Sequence, residues 1–197
     1  RRVLFRSHEV IATTIGGEAA NDVLRTALSF GADRAVRIPA PDDLPALAKA
    51  QILRALAERE RPDVVLLGAQ SIDRGSAQVG PMLAGLLDWP QLIRAVRTEL
   101  RDAAVRADRV GDDAVETLEA DLPCVVTADP RLNKARMPGV LAVLKSKQQP
   151  IEERALAVPA GGGLAVASMS EVAAVRAATK VASAAELVAA LRARGVL

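Results

Sequence analysis

The chain has 197 residues, enough for one domain with a well-buried core or for one domain and an arm. Its 26 basic and 24 acidic side chains are interspersed and leave a net charge of +2, so the composition predicts no nucleic-acid-binding surface. The single histidine, His8, excludes a Ser-His-Asp triad and a histidine metal site, and Cys124 alone cannot form an internal disulfide. No apolar run approaches the ~20 residues that span a bilayer. We therefore expect a cytoplasmic protein without membrane insertion.

Strands and helices alternate in the amino-terminal half. Residues 1–8, RRVLFRSH, join poorly to a strand predicted at Glu9–Gly16, which indicates a non-native or truncated start or a short strand through Val3, Leu4 and Phe5. The next predicted elements are a helix at Ala19–Phe30, a strand at Ala35–Ile38, a helix at Leu44–Glu60 and a strand at Pro62–Leu67. Residues predicted to face inward on the two helices are Val23, Leu24, Ala27, Leu28, Leu47, Ile52, Leu53 and Leu56. This order predicts βαβ units in a parallel sheet.

The stretch Pro62–Pro90 is typical of a strand, a loop and a helix in succession. Its loop, Ser71–Val79, has no apolar pattern, and Gly80-Pro81 begins an amphipathic helix. At such a junction, α/β proteins present backbone N–H groups and the positive end of a helix to a phosphate. Because the dinucleotide fingerprint and the P-loop are both missing, the spacing alone makes this stretch only a candidate nucleotide site.

The second half begins with antiparallel strands and ends with an arm. The predicted elements are β segments at Leu92–Leu100, Ala103–Val110 and Ala114–Glu119, a buried strand at Leu122–Ala128, a loop at Asp129–Asn133, a short helix or irregular apolar segment at Met137–Lys145, a strand-like Leu164–Ala167 and a helix at Ser183–Arg194. The glycine-rich break at residues 159–163 predicts a core over residues 9–158 and an arm over residues 159–197 that packs on a partner.

Two separated stretches resemble the beta subunit of the electron transfer flavoprotein family, which includes the FixA proteins. They are LLGAQSIDRGSAQVGPMLAGLLDWPQ at Leu66–Gln91 and VETLEADLPCVVTADPRLNKARMPGVLAVLKSKQQPIE at Val115–Glu152. Further similarity lies in LRTALSFGADRAVRI at Leu24–Ile38 and KVASAAELVAALRARG at Lys180–Gly195. The resemblance implies an α/β fold with three layers around a parallel sheet, related to the adenine nucleotide alpha hydrolase-like nucleotide-binding superfamily.

The resemblance also implies an electron carrier rather than an enzyme. In that family the beta subunit pairs with an alpha subunit that carries most of the redox FAD. The beta subunit itself holds a structural AMP, or a second FAD in electron-bifurcating members. Electrons arrive from acyl-CoA dehydrogenases or similar flavoenzymes and pass to a membrane quinone oxidoreductase.

A nucleotide site is implied for the loop after the third strand. The positions that match it are Ile15, Ala69, Gln70, Ser71, Ile72, Asp73, Arg74, Gly75, Ser76, Ala77, Gln78, Val79 and Gly80. Backbone amides from Gly75 to Gly80 can hold a phosphate without a lysine. The family often has acids at Arg74 and Gly75, and asparagine and threonine at Ala77 and Val79. Its N-terminal strand and Asn-Pro segment have no counterpart here, so we expect a truncated copy with weak or lost AMP binding.

A docking segment for partner dehydrogenases is the second implied site. The positions that match it are Arg136, Met137, Pro138, Gly139, Val140, Leu141, Ala142, Val143, Leu144 and Lys145. In the family a leucine enters an apolar pocket of the partner. Here Val140 stands at that position and Leu141 is adjacent. An aliphatic anchor among basic residues suits a partner that must bind and leave quickly.

Two other functions stay open at this point. A stand-alone adenine-nucleotide-binding protein of the universal-stress type would use the same loop and bind no flavoprotein partner. A purely structural subunit would keep the interface and lose the nucleotide, which follows if Ala77 and Val79 empty the pocket. The TADPRLN segment at Thr127–Asn133 and the glycine-linked arm favour the electron-transfer subunit.

Overall fold

The computed structural model describes residues 9–41, 43–73, 75–157, 167–170 and 178–197. The chain divides into two units, Arg1–Gly163 and Leu164–Leu197. The features predicted at residues 1–8, at residues 159–163 and at residues 164–166 lie outside the described residues, as does Arg74.

The described part of the first unit contains strands and helices, which alternate in its first half and are followed by consecutive strands. They are β1 (Ile11–Ile15), α1 (Asn21–Phe30), β2 (Arg34–Ile38), α2 (Ala46–Glu60), β3 (Val64–Gly68), α3 (Val79–Leu87), β4 (Gln91–Leu100), β5 (Ala104–Val110), β6 (Val115–Asp121), β7 (Cys124–Ala128), α4 (Val140–Gln148) and β8 (Glu152–Glu153). A 3-10 turn, Glu18–Ala20, precedes α1. Of the helices the structure describes, none combines the length and the apolar character needed to cross a membrane.

The strands form two sheets rather than the single parallel sheet that the sequence predicted. β1, β2 and β8 make a parallel three-stranded sheet, which confirms the predicted βαβ unit around α1. β3 instead pairs in parallel with β7, in a five-stranded mixed sheet of order β3-β7-β4-β5-β6. Four of the five residues of β7 are buried, so β7 lies inside its sheet with a neighbour on each side. The predicted antiparallel segments are confirmed as β4, β5 and β6.

Helix α2 contacts both sheets. Its stripe of Ala48, Ile52 and Leu56 packs in a cluster with Ile38 of β2, and its Ala50 packs in a second cluster with α3, β3 and β7. Ile52 is fully buried, which contributes about 2 kcal/mol of hydrophobic stabilisation. The two sheets therefore share this helix as a common packing surface.

Two residues that were predicted to face inward lie on the surface. Leu47 is 46 % exposed and Val23 is 64 % exposed. In each helix the large buried side chains lie four residues apart, as Leu24 and Leu28 do in α1 and Ile52 and Leu56 do in α2. Leu47 and Val23 each precede a residue of the buried stripe, and one residue corresponds to a rotation of about 100° around a helix.

The second unit contains α5 (Ala184–Ala193), which confirms the helix predicted at Ser183–Arg194 and is capped by Ser183. The Ser183 Oγ accepts a hydrogen bond from the backbone N–H of Glu186 at 3.2 Å. The Glu186 carboxylate accepts from the N–H of Ala182 at 2.7 Å. One first-turn donor is thereby paired, and Glu186 also binds the chain just before the cap, in a variant of the capping box. No residue of α5 is buried.

Candidate functional site

The loop between β3 and α3 is attached at both ends to the carboxyl end of β7. At its start, the Ala69 N–H donates to the Ala128 carbonyl at 2.9 Å. At its end, Gly80 is buried so closely against Thr127 that an added Cβ would lie 2.4 Å from the Thr127 Cγ2. The predicted nucleotide loop and the TADPRLN segment therefore meet at the same edge of the sheet.

The shape of this loop is set by its backbone. The Gly75 N–H donates to the Ser71 carbonyl at 3.0 Å and closes a turn. Gly75 has a φ of 59° and Ala77 a φ of 51°, and this left-handed conformation costs a residue with a Cβ about 1 kcal/mol. All described residues from Gln70 to Gln78 are exposed. Their side chains are therefore exposed to solvent, whereas the Gly75 N–H, which the sequence offered to a phosphate, is bonded to the Ser71 carbonyl.

Helix α3 begins at Val79, one residue before the predicted start. The Met82 N–H donates to the Gln78 carbonyl at 2.9 Å, which starts the helical hydrogen bonding. Pro81, in the first turn, has no N–H, so Val79 and Gly80 supply the amide donors of that turn. These amides and the positive end of the helix dipole suit an anion such as a phosphate.

Asp129 fixes the chain where it leaves β7. Its carboxylate accepts hydrogen bonds from the Arg131 backbone N–H at 3.0 Å and from the Arg131 guanidinium at 2.8 and 3.1 Å. These bonds, aided by the charges of Arg131 and Arg94, lower the pKa of Asp129 to about 2. Leu132 packs against the buried cluster around Leu92. The segment is thus held in one conformation beside the loop.

Arg94 is a site residue that the sequence reasoning missed. It lies at a bulge in β4 with a φ of 55°, and its N–H donates to the Thr127 Oγ1 at 2.9 Å. The bulge turns Arg94 to the exposed surface between the buried Leu92 and Ala95. The sequence signal that could have revealed this irregularity is the arginine within the apolar run LIRAV.

Ile15 is the predicted nucleotide-site residue outside the loop. It ends β1, is half-buried, and packs against the cluster that contains Ile38, Leu44 and Ile52. The adjacent Gly16 N–H donates to the Ile38 carbonyl at 3.0 Å. Ile15 therefore has a packing role in the first sheet that is independent of any nucleotide.

The predicted docking segment contains the start of α4. Helix α4 begins at Val140, so residues 136–139 lead into it and residues 140–145 belong to it. Val140 is 75 % exposed and Leu141 is 82 % exposed. Exposed basic side chains flank these aliphatic residues in the sequence, namely Lys134, Arg136, Lys145 and Lys147. The segment thus combines exposed aliphatic and basic side chains.

A surface cavity of about 390 Å³ lies elsewhere, at the amino end of β3, where Arg61, Asp63 and Trp89 are among its lining residues. Ligands of open α/β sheets bind at the carboxyl ends of the strands. The loop, and not this cavity, is therefore the candidate nucleotide site.

Cys124 is fully buried in β7, and this burial raises the pKa of its thiol, as expected of a structural cysteine. The described residues bring together no group of three or more His, Cys, Asp or Glu side chains that could hold a metal ion.

Comparison with known proteins identifies the class. The Electron transfer flavoprotein domain family matches residues 4–159. The chain is 45 % identical over 150 residues to the mitochondrial electron transfer flavoprotein subunit beta of Oryza sativa subsp. indica. It is 36 % identical over 190 residues to the subunit beta of Bradyrhizobium diazoefficiens, and 42 % identical over 148 residues to that of Homo sapiens. The chain belongs to the electron transfer flavoprotein family.

The relatives named here are beta subunits, and the matches cover most of this chain but only part of some relatives. The match covers 74 % of this chain and 59 % of the rice protein, and 73 % of this chain and 58 % of the human protein. For the Bradyrhizobium protein the shares are 95 % of this chain and 76 % of that protein. The chain therefore spans less than two thirds of the rice and human subunits.

Proposed function

We propose that this chain acts as the beta subunit of a heterodimeric electron transfer flavoprotein, as an electron-carrier component and not an enzyme. The observation that carries the proposal is the exposed Val140 and Leu141 at the start of α4, with exposed basic residues on either side in the sequence. An apolar surface of this kind is suited to a protein partner. The beta-subunit relatives support this function over a stand-alone protein of the universal-stress type.

A structural AMP is the nucleotide that we propose for the loop at Ala69–Gly80. What supports a phosphate here is the exposed loop that leads into the amino end of α3, where first-turn amides and the positive end of the helix dipole favour an anion. The fit is poorer for side-chain contacts, since Ala77 and Val79 offer no polar group. AMP would therefore be held by backbone amides and bind weakly, while FAD is held mainly by the alpha subunit.

We assign one partner to the docking segment and another to the arm. Acyl-CoA dehydrogenases or similar flavoenzymes dock at Arg136–Lys145 and deliver electrons, which the heterodimer passes to a quinone oxidoreductase. The arm at residues 159–197 packs on the alpha subunit. In support of this role, α5 exposes Leu187 and Val188 on a helix without any buried residue.

Co-expression with a cognate alpha subunit tests the proposal. We expect a yellow heterodimer to copurify, with little AMP in a denaturing extract separated by chromatography. Failure to form any complex, with adenine nucleotide bound to the single chain, would support the universal-stress type instead. Tight stoichiometric AMP would refute the weak-binding part of the proposal.

The docking segment is tested with Leu141→Ala in the heterodimer. We expect slower electron transfer from a dehydrogenase, with unchanged bound flavin, because the variant removes an exposed apolar anchor. Leu100→Ala is the matched control, since Leu100 is a 49 % exposed leucine at the end of β4. Equal rates for wild type, Leu141→Ala and Val140→Ala would contradict the assignment.

A further inference from the structure

Two arginines join α1 and α4, and each caps the carboxyl end of a helix to which it does not belong. Arg25, on α1, donates from one guanidinium nitrogen to the Ser146 carbonyl at 2.6 Å and to the Gln149 carbonyl. Arg136, in the segment before α4, donates to the Phe30 carbonyl at the end of α1. The two helices therefore run antiparallel and are connected at both ends.

The chemistry of these contacts favours a firm attachment. The last carbonyls of a helix lack partners within the helix and carry its negative dipole end. A guanidinium supplies several donors in a fixed plane and a full positive charge, so its bonds to such carbonyls are charge-assisted. Arg25 is half-buried, which shields the contact from competing water.

Helix α4 benefits from such contacts because it is short and little of it is buried where it packs on α1. It is nine residues long, and isolated helices shorter than about 12 residues are marginal in water. Its single buried residue is Ser146, whose Oγ donates back to the Val143 carbonyl at 2.8 Å. Val140 and Leu141, at its start, are mostly exposed and contribute little packing energy.

We propose that Arg25 and Arg136 are positioning residues for partner docking. They hold α4 on α1 so that Val140 and Leu141 stand out from the surface in a fixed arrangement. A preorganised segment loses less conformational freedom when it binds, which strengthens the complex. This inference rests on the proposed docking function of α4.

The experiment compares heterodimers that carry Arg25→Gln, Arg25→Lys, Arg136→Gln or Arg54→Gln. Arg54 is the matched control, because it is an exposed helical arginine on α2 that pairs with Glu58 alone among the ion pairs described. We expect Arg25→Gln to raise the KM for the dehydrogenase about fivefold to tenfold with kcat and flavin content unchanged. Arg136→Gln acts in the same direction, Arg25→Lys recovers part of the loss, and Arg54→Gln has no effect.

Hydrogen exchange separates this inference from the docking proposal. Arg25→Gln should speed amide exchange in residues 140–149, whatever docks there. If Leu141→Ala and Val140→Ala both leave the KM unchanged, the docking function fails and the positioning role fails with it, although faster exchange in Arg25→Gln would still show the attachment. The positioning role is overturned if Leu141→Ala raises the KM but Arg25→Gln does not, whether or not Arg25→Gln speeds the amide exchange. If the Arg25→Gln heterodimer fails to assemble, the KM and the amide exchange of Arg25→Lys and Arg136→Gln test the positioning role instead.

Discussion

Gly80 is needed where it is because α3 crosses β7 without space for a side chain. In Gly80→Ala the new Cβ would lie 2.4 Å from the Thr127 Cγ2. Overpacking of this kind costs about 1 to 3 kcal/mol, and the better helix propensity of alanine returns at most about 1 kcal/mol. We expect Gly80→Ala to lower the free energy of unfolding by about 2 kcal/mol.

Thr127→Ser removes the methyl group that causes the clash and keeps the hydroxyl oxygen that accepts from Arg94. Alone, it loses about 1 kcal/mol with the buried methyl. In the double variant, the nearest remaining atoms to the Cβ added at position 80 are the Cβ of residue 127 and the Leu67 Cδ1, each at an ordinary 3.8 Å. The double variant should therefore lose only about the 1 kcal/mol of the missing methyl group, which corresponds to a favourable coupling of about 2 kcal/mol.

Urea unfolding of the four proteins measures this cycle through the midpoints at constant slope. Gly85→Ala, on the same helix, is the control, because nothing lies within 4 Å of its added Cβ. It should be neutral or stabilising by up to about 1 kcal/mol. If the loss in the double variant equals the sum of the two single losses within about 0.5 kcal/mol, close packing of Gly80 against Thr127 is refuted.

Two further predictions concern charged groups. The pKa of Asp129 is lowered from 3.8 to about 2 in the folded protein. The ionised carboxylate therefore contributes its full stability above pH 3.8, and this contribution is lost as the pH falls to about 2. Unfolding midpoints measured across that interval should therefore fall less for Asp129→Asn than for wild type, and parallel curves would contradict this. Glu60 bridges Arg154 and Arg34, which lower its pKa. Glu60→Gln should cost about 2 kcal/mol in thermal unfolding, against about 0.4 kcal/mol for the exposed Glu58→Gln, and equal losses would show that the bridge contributes nothing special.

Local sequence pattern was sufficient to predict most elements and the position of the loop. The apolar run at Val64–Leu67 and the glycine and proline at residues 80 and 81 predicted the strand and the helix that bound it. The division into two sheets could not be predicted, because a strand such as β3 carries no local mark of its partner. β3 pairs with β7 because both strands are covered when they lie side by side, although they are far apart in the sequence.

The contacts that shape the candidate sites escaped prediction for the same reason. The bond from Arg94 to Thr127 and those from Arg25 to the end of α4 join residues that are distant in the chain. Periodicity placed Leu47 and Val23 on the correct helices but on the wrong side of them. The stripe that is buried is decided by the neighbouring elements and not by the helix alone.

The pairing of β3 with β7 also governs the order in which the chain can fold. Val64 pairs with Cys124, so β3 must wait until β4, β5 and β6 have all been synthesised. Until then the apolar sequence VVLLG lacks the strand that covers its edge, and such an edge can join with that of another chain. Folding of the second sheet is therefore slow to begin, and nascent chains that stop before Cys124 are the ones most exposed to aggregation.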